Sequence, residues 1–152
     1  MPVVAVEDRN IGGMTLRRLL QFCSYIEHFH RISIFKKVPA GDERMRSMAR
    51  AIHTMDLWEG EIIFMRGEEA SCMYLLIDGT VRRQSPSGTD VLTADVDFNK
   101  VHILSEQAFL EESVHASTVT ILSPAAIFIP IDMKLIALYF GSLDELLQSQ
   151  NL

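Results

Sequence analysis

The sequence predicts a mainly β domain: a jelly-roll-like, eight-stranded antiparallel β-roll with flanking helices. Three observations predict it. From residue 56 onward, short apolar runs alternate with glycine-containing turns. No helical period interrupts most of that stretch. On either side of it, apolar residues recur at steps of three and four, the spacing of helices.

The elements follow in order. Residues 1–13 read as an irregular lead ending in Gly12-Gly13. Thr15 is placed to cap a helix running to about Phe29. Leu16, Leu20 and Cys23 fall in one sector of it, and Leu19, Phe22, Ile26 and Phe29 in a neighbouring one. That apolar face is wider than a single packing contact requires. Gly41-Asp42 breaks the chain and caps a second helix over Asp42–Met55, with Met45, Met48, Ala49, Ile52 and Met55 at helical spacing. Arg44, Arg46 and Arg50 occupy its other faces and read as a solvated surface. Eight strands then follow: around Trp58, Ile62–Met65, Met73–Ile77, Thr80–Gln84, Asp90–Thr93, Val101–Leu104, Ala116–Leu122 and Ala126–Pro130. Glu59-Gly60, Arg66-Gly67, Asp78-Gly79 and Pro86-Ser87-Gly88 separate the first five, and Asp78-Gly79 reads as a hairpin. A helix over about Asp132–Phe140 is stopped by Gly141. Ser142 to Glu145 reads as a capping box for a last short turn. The domain division expected is 1–30 for lead and first helix and 31–152 for the roll.

Composition narrows the function. The 152 residues suit one domain with its own core. A 48% hydrophobic and 22% charged content is that of a globular chain. The formal net charge of −6 argues against nucleic acid and against anionic membranes, both of which select a Lys/Arg surplus. No apolar stretch reaches the length of a membrane span. The two cysteines, Cys23 and Cys72, match no metal-ligand spacing and read as reduced and buried. Residues 1–10 lack the pattern of a signal peptide. The expected setting is intracellular and cytoplasmic.

The segment Gly60–Val81, GEIIFMRGEEASCMYLLIDGTV, resembles the first half of the cyclic-nucleotide-binding domain found in protein kinase A regulatory subunits, bacterial catabolite activators and gated channels. Gly60, Glu61, Gly67, Glu68, Tyr74, Gly79 and Val81 carry the resemblance at fixed spacings. It extends over about residues 20–145. The segment Leu104–Val119, LSEQAFLEESVHASTV, falls where that family has its phosphate-binding cassette.

The resemblance implies a set of roles. In the family a glycine permits close backbone approach, a glutamate accepts the ribose hydroxyl, and a short helix directs N–H groups at the cyclic phosphate. An arginine then forks onto the phosphate oxygens. Here Ser105 stands at the glycine, Glu106 at the glutamate, Gln107 opens the short helix, Ala108 holds the small-residue position, and His115-Ala116 stands where Arg-Ala is expected. A neutral imidazole lacks both the charge and the fork. Losing two charge-assisted hydrogen bonds costs roughly 2–4 kcal/mol after compensation. That is about a 30- to 700-fold loss of affinity. Glu111 and Glu112 are expected near the phosphate, where they would repel it. His115 is then either a satisfied loop histidine or a pH-dependent phosphate contact. Glu106 is either a ribose acceptor or an acceptor for nearby backbone N–H groups. Tyr139 and Phe140 are candidates to cover a base, with the core as the competing location.

The function expected is a non-catalytic domain with a degenerate cassette, an interaction or structural subunit of a larger protein assembly, with no cofactor. Leu16, Leu20, Phe22 and Ile26 are the candidate partner-binding residues. The alternative is a cAMP or cGMP sensor that regulates a partner chain through its N- and C-terminal helices. A metal-binding roll would need His102, Glu106 and His115 to converge, but no His-x-His pair supports it. A DNA-binding regulator would need a helix-turn-helix after the roll, for which the sequence leaves no room.

Overall fold

The computed structural model describes residues 10–11, 14–39 and 41–150. Most of the expected lead, Gly12-Gly13 included, lies outside the described residues. A two-stranded ribbon, β1 (Asn10–Ile11) and β2 (Met14–Thr15), stands where an irregular lead was expected. It is followed by α1 (Leu16–Phe29) and α2 (Glu43–Ala51). Asp42 caps α2 by accepting the Arg44 N–H at 2.9 Å. The helix ends four residues before the expected Met55. Ile52 already has extended backbone, and Met55 is needed in the sheet, opposite Phe128.

The roll itself comprises β3 (Met55–Trp58), β4 (Ile62–Phe64), β5 (Cys72–Ser85), β6 (Gly88–Ala94), β7 (His102–Leu104), β8 (Thr118–Ile121) and β9 (Ala125–Asp132). All their pairings are antiparallel. A short α3 (Glu106–Leu110) interrupts the strands between β7 and β8. Then α4 (Met133–Phe140) and α5 (Leu143–Gln150) close the chain. Asp132 caps α4, accepting from Leu135 N–H at 2.8 Å, and Ser142 caps α5 as the sequence indicated, its Oγ accepting from Glu145 N–H at 3.1 Å.

The expected eighth strand is missing for a specific reason. Met73–Ile77 and Thr80–Gln84 are not two strands joined by a hairpin but the two halves of β5. The first half pairs with β9 and β7, the second with β6 and β8. Between them the register shifts and Gly79 takes φ = 110°. A Cβ on Gly79 would lie 2.8 Å from Ala125 O and from Ala126 Cα. Asp78-Gly79 therefore bends one strand across from one half of the roll to the other. The true hairpin is Pro86-Ser87, with Ser85 opposite Gly88.

The interior has two parts. Phe64, Leu76, Val81, Leu104, Val119, Ala126 and Phe128 fill the inside of the roll. Phe29, Phe35, Met45, Met48, Met73, Phe109, Ile129, Ile136 and Phe140 form a second layer between the sheet and the helices. Burying a side chain of this size stabilises by roughly 1.5–3 kcal/mol. The second layer is what binds α1, α2, α4 and the cassette helix α3 to the roll.

Candidate functional site

Two turns frame the site, and they are built alike. At Trp58–Glu61 and Met65–Glu68, a glycine at the third position takes positive φ, 88° for Gly60 and 92° for Gly67. The glutamate that follows folds its carboxylate back. Glu61 accepts the Trp58 N–H at 2.8 Å, and Glu68 accepts the Met65 N–H at 2.6 Å. The Gly-acidic pairs thus lock their own turns. The second turn also holds the cassette: Gly67 N–H donates to His115 O at 2.9 Å, and His115 N–H to Glu68 O at 2.8 Å.

The cassette follows β7. Ser105 carries φ = 65° and ψ = 25°, a left-handed backbone that a glycine would take without strain. Its hydroxyl is not idle: Ser105 Oγ and His115 Nδ1 share a hydrogen bond. His115 is only 4% exposed. Its ring stacks on Phe64, with centroids 3.9 Å apart and planes 14° apart, and Phe64 stacks in turn on Tyr74. Burial lowers the imidazole's pKa below its ordinary 6.5, with Glu68 pulling weakly the other way. His115 is therefore hydrogen-bonded to Ser105 and buried inside the roll. Burial also pushes the Tyr74 hydroxyl up to about 12 and the Cys72 thiol up to about 11, so neither is an ionised nucleophile near neutral pH.

Above this stack lies an open cavity of about 700 Å³. Its floor and one wall come from the cassette: Ser105, Glu106, Gln107, Ala108, Ala116 and Ser117. The opposite wall is the β5–β6 hairpin, with Arg83, Ser85 and Ser87–Asp90. Phe64, Ile103 and Leu104 complete the lining. The volume is that of a small-molecule site. Five of the six cassette candidates meet here, and the sixth, His115, does not line the cavity. Glu106 reaches away from the strands as well, accepting the Ser33 N–H with Oε2 at 3.4 Å.

One expectation is corrected by position. Glu111 and Glu112 do not line this cavity; with Asp144 they border a separate depression beside α4 and α5. Both follow the end of α3 at Leu110, with Glu111 as its C-cap, and Glu111 accepts from Gln107 Nε2 at 3.0 Å. Phe140 belongs to the core, against Phe35 and beneath the Arg44 guanidinium, and Tyr139 is partly buried against the same core. Among the described residues, none of α4 or α5 lines the cavity. The candidate metal trio does not converge: His102 Nε2 bonds Thr93 O at 2.9 Å, away from Glu106 and His115. Among the described residues no cluster of His, Cys, Asp or Glu is placed to hold a metal.

Two residues escaped the sequence reading. Arg83 and Asp90 face each other across the hairpin and line the cavity. Their signal was present. A two-residue turn at Pro86-Ser87 puts Ser85 opposite Gly88, and counting back by pairs puts Arg83 opposite Asp90.

On α1, Phe29 is fully buried in the helix-side core, and Ile26 packs partly buried against it. The side chains of Leu16, Leu20 and Phe22 lie outside the described residues.

The roll carries a short helix, α3, between β7 and β8, and part of that helix lines the cavity. The cyclic nucleotide-binding domain family model matches residues 54–130, and the chain belongs to that family. No curated protein matches it. Several solved structures share the fold. A cyclic nucleotide-binding-like protein from Brucella abortus is 17% identical at a TM-score of 0.62, over 78% of this chain and 98% of that one. The regulatory domain of Toxoplasma gondii PKA, solved with cAMP, is 17% identical at 0.59, over 88% of this chain. This chain spans 50% of that one's length. The regulatory subunit of a cAMP-independent protein kinase A from Trypanosoma brucei is 13% identical at 0.58, over 91% of this chain and 49% of that one. Among the described residues no helix is long and apolar enough to cross a membrane.

Proposed function

We propose that this protein is a non-catalytic member of the family whose cassette no longer holds a cyclic phosphate, and that it acts as an interaction or structural subunit of a larger, intracellular assembly. One observation carries the reading. His115, which the family resemblance puts at the position of the phosphate-forking arginine, is buried and does not line the cavity; it is bonded to Ser105 and stacked on Phe64. Its burial favours the neutral form. A group so placed offers an incoming phosphate neither charge nor fork. Ser105 and His115 satisfy each other, and Glu106 serves a backbone N–H; each does in the fold what an intramolecular polar residue does.

Under this reading the domain works through its protein contacts. Residues 1–30 form the attachment segment and residues 31–152 the roll. Ile26 and Phe29 of α1 pack into the helix-side core, and Leu16 and Leu20 are the residues assigned to a partner. Replacing Leu16 and Leu20 by Glu should abolish association with native partners while the fold survives. Replacing Phe22 and Ile26 by Glu should destabilise the domain. If neither pair changes association, the docking role is wrong.

The persistence of an open, partly polar cavity favours one second reading, a cAMP or cGMP sensor acting on a partner chain. Isothermal calorimetry with both nucleotides separates the two. No saturable binding at micromolar ligand is expected, and a sub-micromolar dissociation constant overturns the degenerate reading.

A further inference from the structure

Arg83 is, among the described residues, the one cation lining the cavity, and it sits on the wall facing the cassette. It shares a strand face with Val81, which is fully buried inside the roll, so its side chain starts out pointing inward. Asp90 meets it from the neighbouring strand. Arg83 Nε donates to Asp90 Oδ1 at 3.0 Å and Nη2 to Oδ2 at 2.7 Å, a two-bond fork of the kind an arginine makes with phosphate. The guanidinium beside it holds the Asp90 carboxyl below its ordinary value, so the carboxylate is charged at neutral pH. Glu106 adds a second carboxylate to the lining. One cation against two anions leaves the cavity with a negative balance.

We infer that Asp90 is a specificity determinant of the cavity: by occupying the Arg83 fork it makes the cavity reject anionic ligands, independently of the cassette. The inference shares with the proposed function only the location of the site. The defect there lies in His115 and Ser105; here it lies on the hairpin wall, in a carboxylate that takes up the Arg83 fork and adds negative charge to the cavity. The pair is partly exposed, with 38% and 50% of the two side chains open to solvent, so its loss has little effect on folding. That makes it a clean target.

The test is calorimetric titration of cyclic AMP, with adenosine as the uncharged control, into wild type, Asp90→Asn and Arg83→Gln/Asp90→Asn, each with the cassette unchanged. Asp90→Asn should tighten cyclic AMP by about ten- to a hundredfold, one charge-assisted fork's worth, and leave adenosine unchanged. The double variant should return cyclic AMP to the wild-type value. The inference is overturned if Asp90→Asn binds cyclic AMP no better than wild type, if adenosine gains equally, or if the gain survives removal of Arg83. A sub-micromolar wild-type affinity would sink the degenerate-cassette reading instead, and the comparison between variants would still decide the role of Asp90.

Discussion

The two Gly-Glu turns and the cassette carry equally recognisable family features, yet they differ in what holds them. In the turns every such residue serves the local backbone. Gly60 and Gly67 take positive φ, and Glu61 and Glu68 bond the N–H three residues back. In the cassette the polar side chains bond partners elsewhere in the protein. Ser105 and His115 bond each other, and Glu106 bonds Ser33. The turns therefore report the fold, and only the cassette and the wall facing it report on a ligand.

Substitutions probe that contrast. The largest effect is expected within the cassette but away from its polar groups. Phe109 is fully buried, so Phe109→Ala should cost about 3–5 kcal/mol in urea unfolding. A loss below about 1 kcal/mol would mean that the cassette is not packed as core and the contrast fails. Next, Gly79→Val forces a side chain onto Ala125 and Ala126 at a strained φ and should cost about 3 kcal/mol in the same assay, as expected of a glycine that serves the bend in β5.

A smaller effect comes with pH. Burial lowers the folded-state pKa of both His115 and His28 below 6.5; Arg31 also lowers that of His28, while Glu68 and Glu27 oppose the respective shifts. As pH falls below about 6.5 the unfolded chain binds these protons before the folded one does. Stability is therefore full above that pH and declines as pH drops through the folded values. Unfolding midpoints measured between neutral and mildly acidic pH should show this slope, and His115→Phe, which keeps the stack on Phe64, should reduce it. An unchanged slope would mean that His115 is not buried neutral. The smallest effect is expected in the turns. Glu68→Ala removes one charge-assisted bond to a backbone N–H and should cost about 1 kcal/mol by urea unfolding.

Much of the fold was legible because local chemistry determined it. Asp42 and Ser142 cap the helices the sequence assigned them, and Pro86-Ser87 turns the chain where a turn was expected. What was not legible depends on approach between distant segments. Asp78-Gly79 has the sequence of a hairpin, and only the nearness of β9 makes it a bend within one strand. The end of α2 was set by the demand of β9 for Met55 as a partner. In the site, the identity of the substitutions was plain, but their direction was not. An imidazole beside a cavity can enter it or turn beneath it; the Phe64 ring and the Ser105 hydroxyl decide the matter, and they come from elsewhere in the chain. Glu111 and Glu112 were misjudged because α3 ends before them, and they border a depression shared with residues of α4 and α5.

The proposed loss of ligand binding rests on Ser105 and His115, which by satisfying each other take the place of a phosphate contact. The decisive experiment is to titrate cyclic AMP into wild type and into Ser105→Gly/His115→Arg. The double change restores an unstrained left-handed position and an arginine free to leave the Phe64 stack. Wild type should not bind at micromolar ligand, and the variant should gain about 30-fold or more. A sub-micromolar wild-type affinity, or a correctly folded variant that binds no more tightly than wild type, would show that the Ser105–His115 pair is not what silences the cassette.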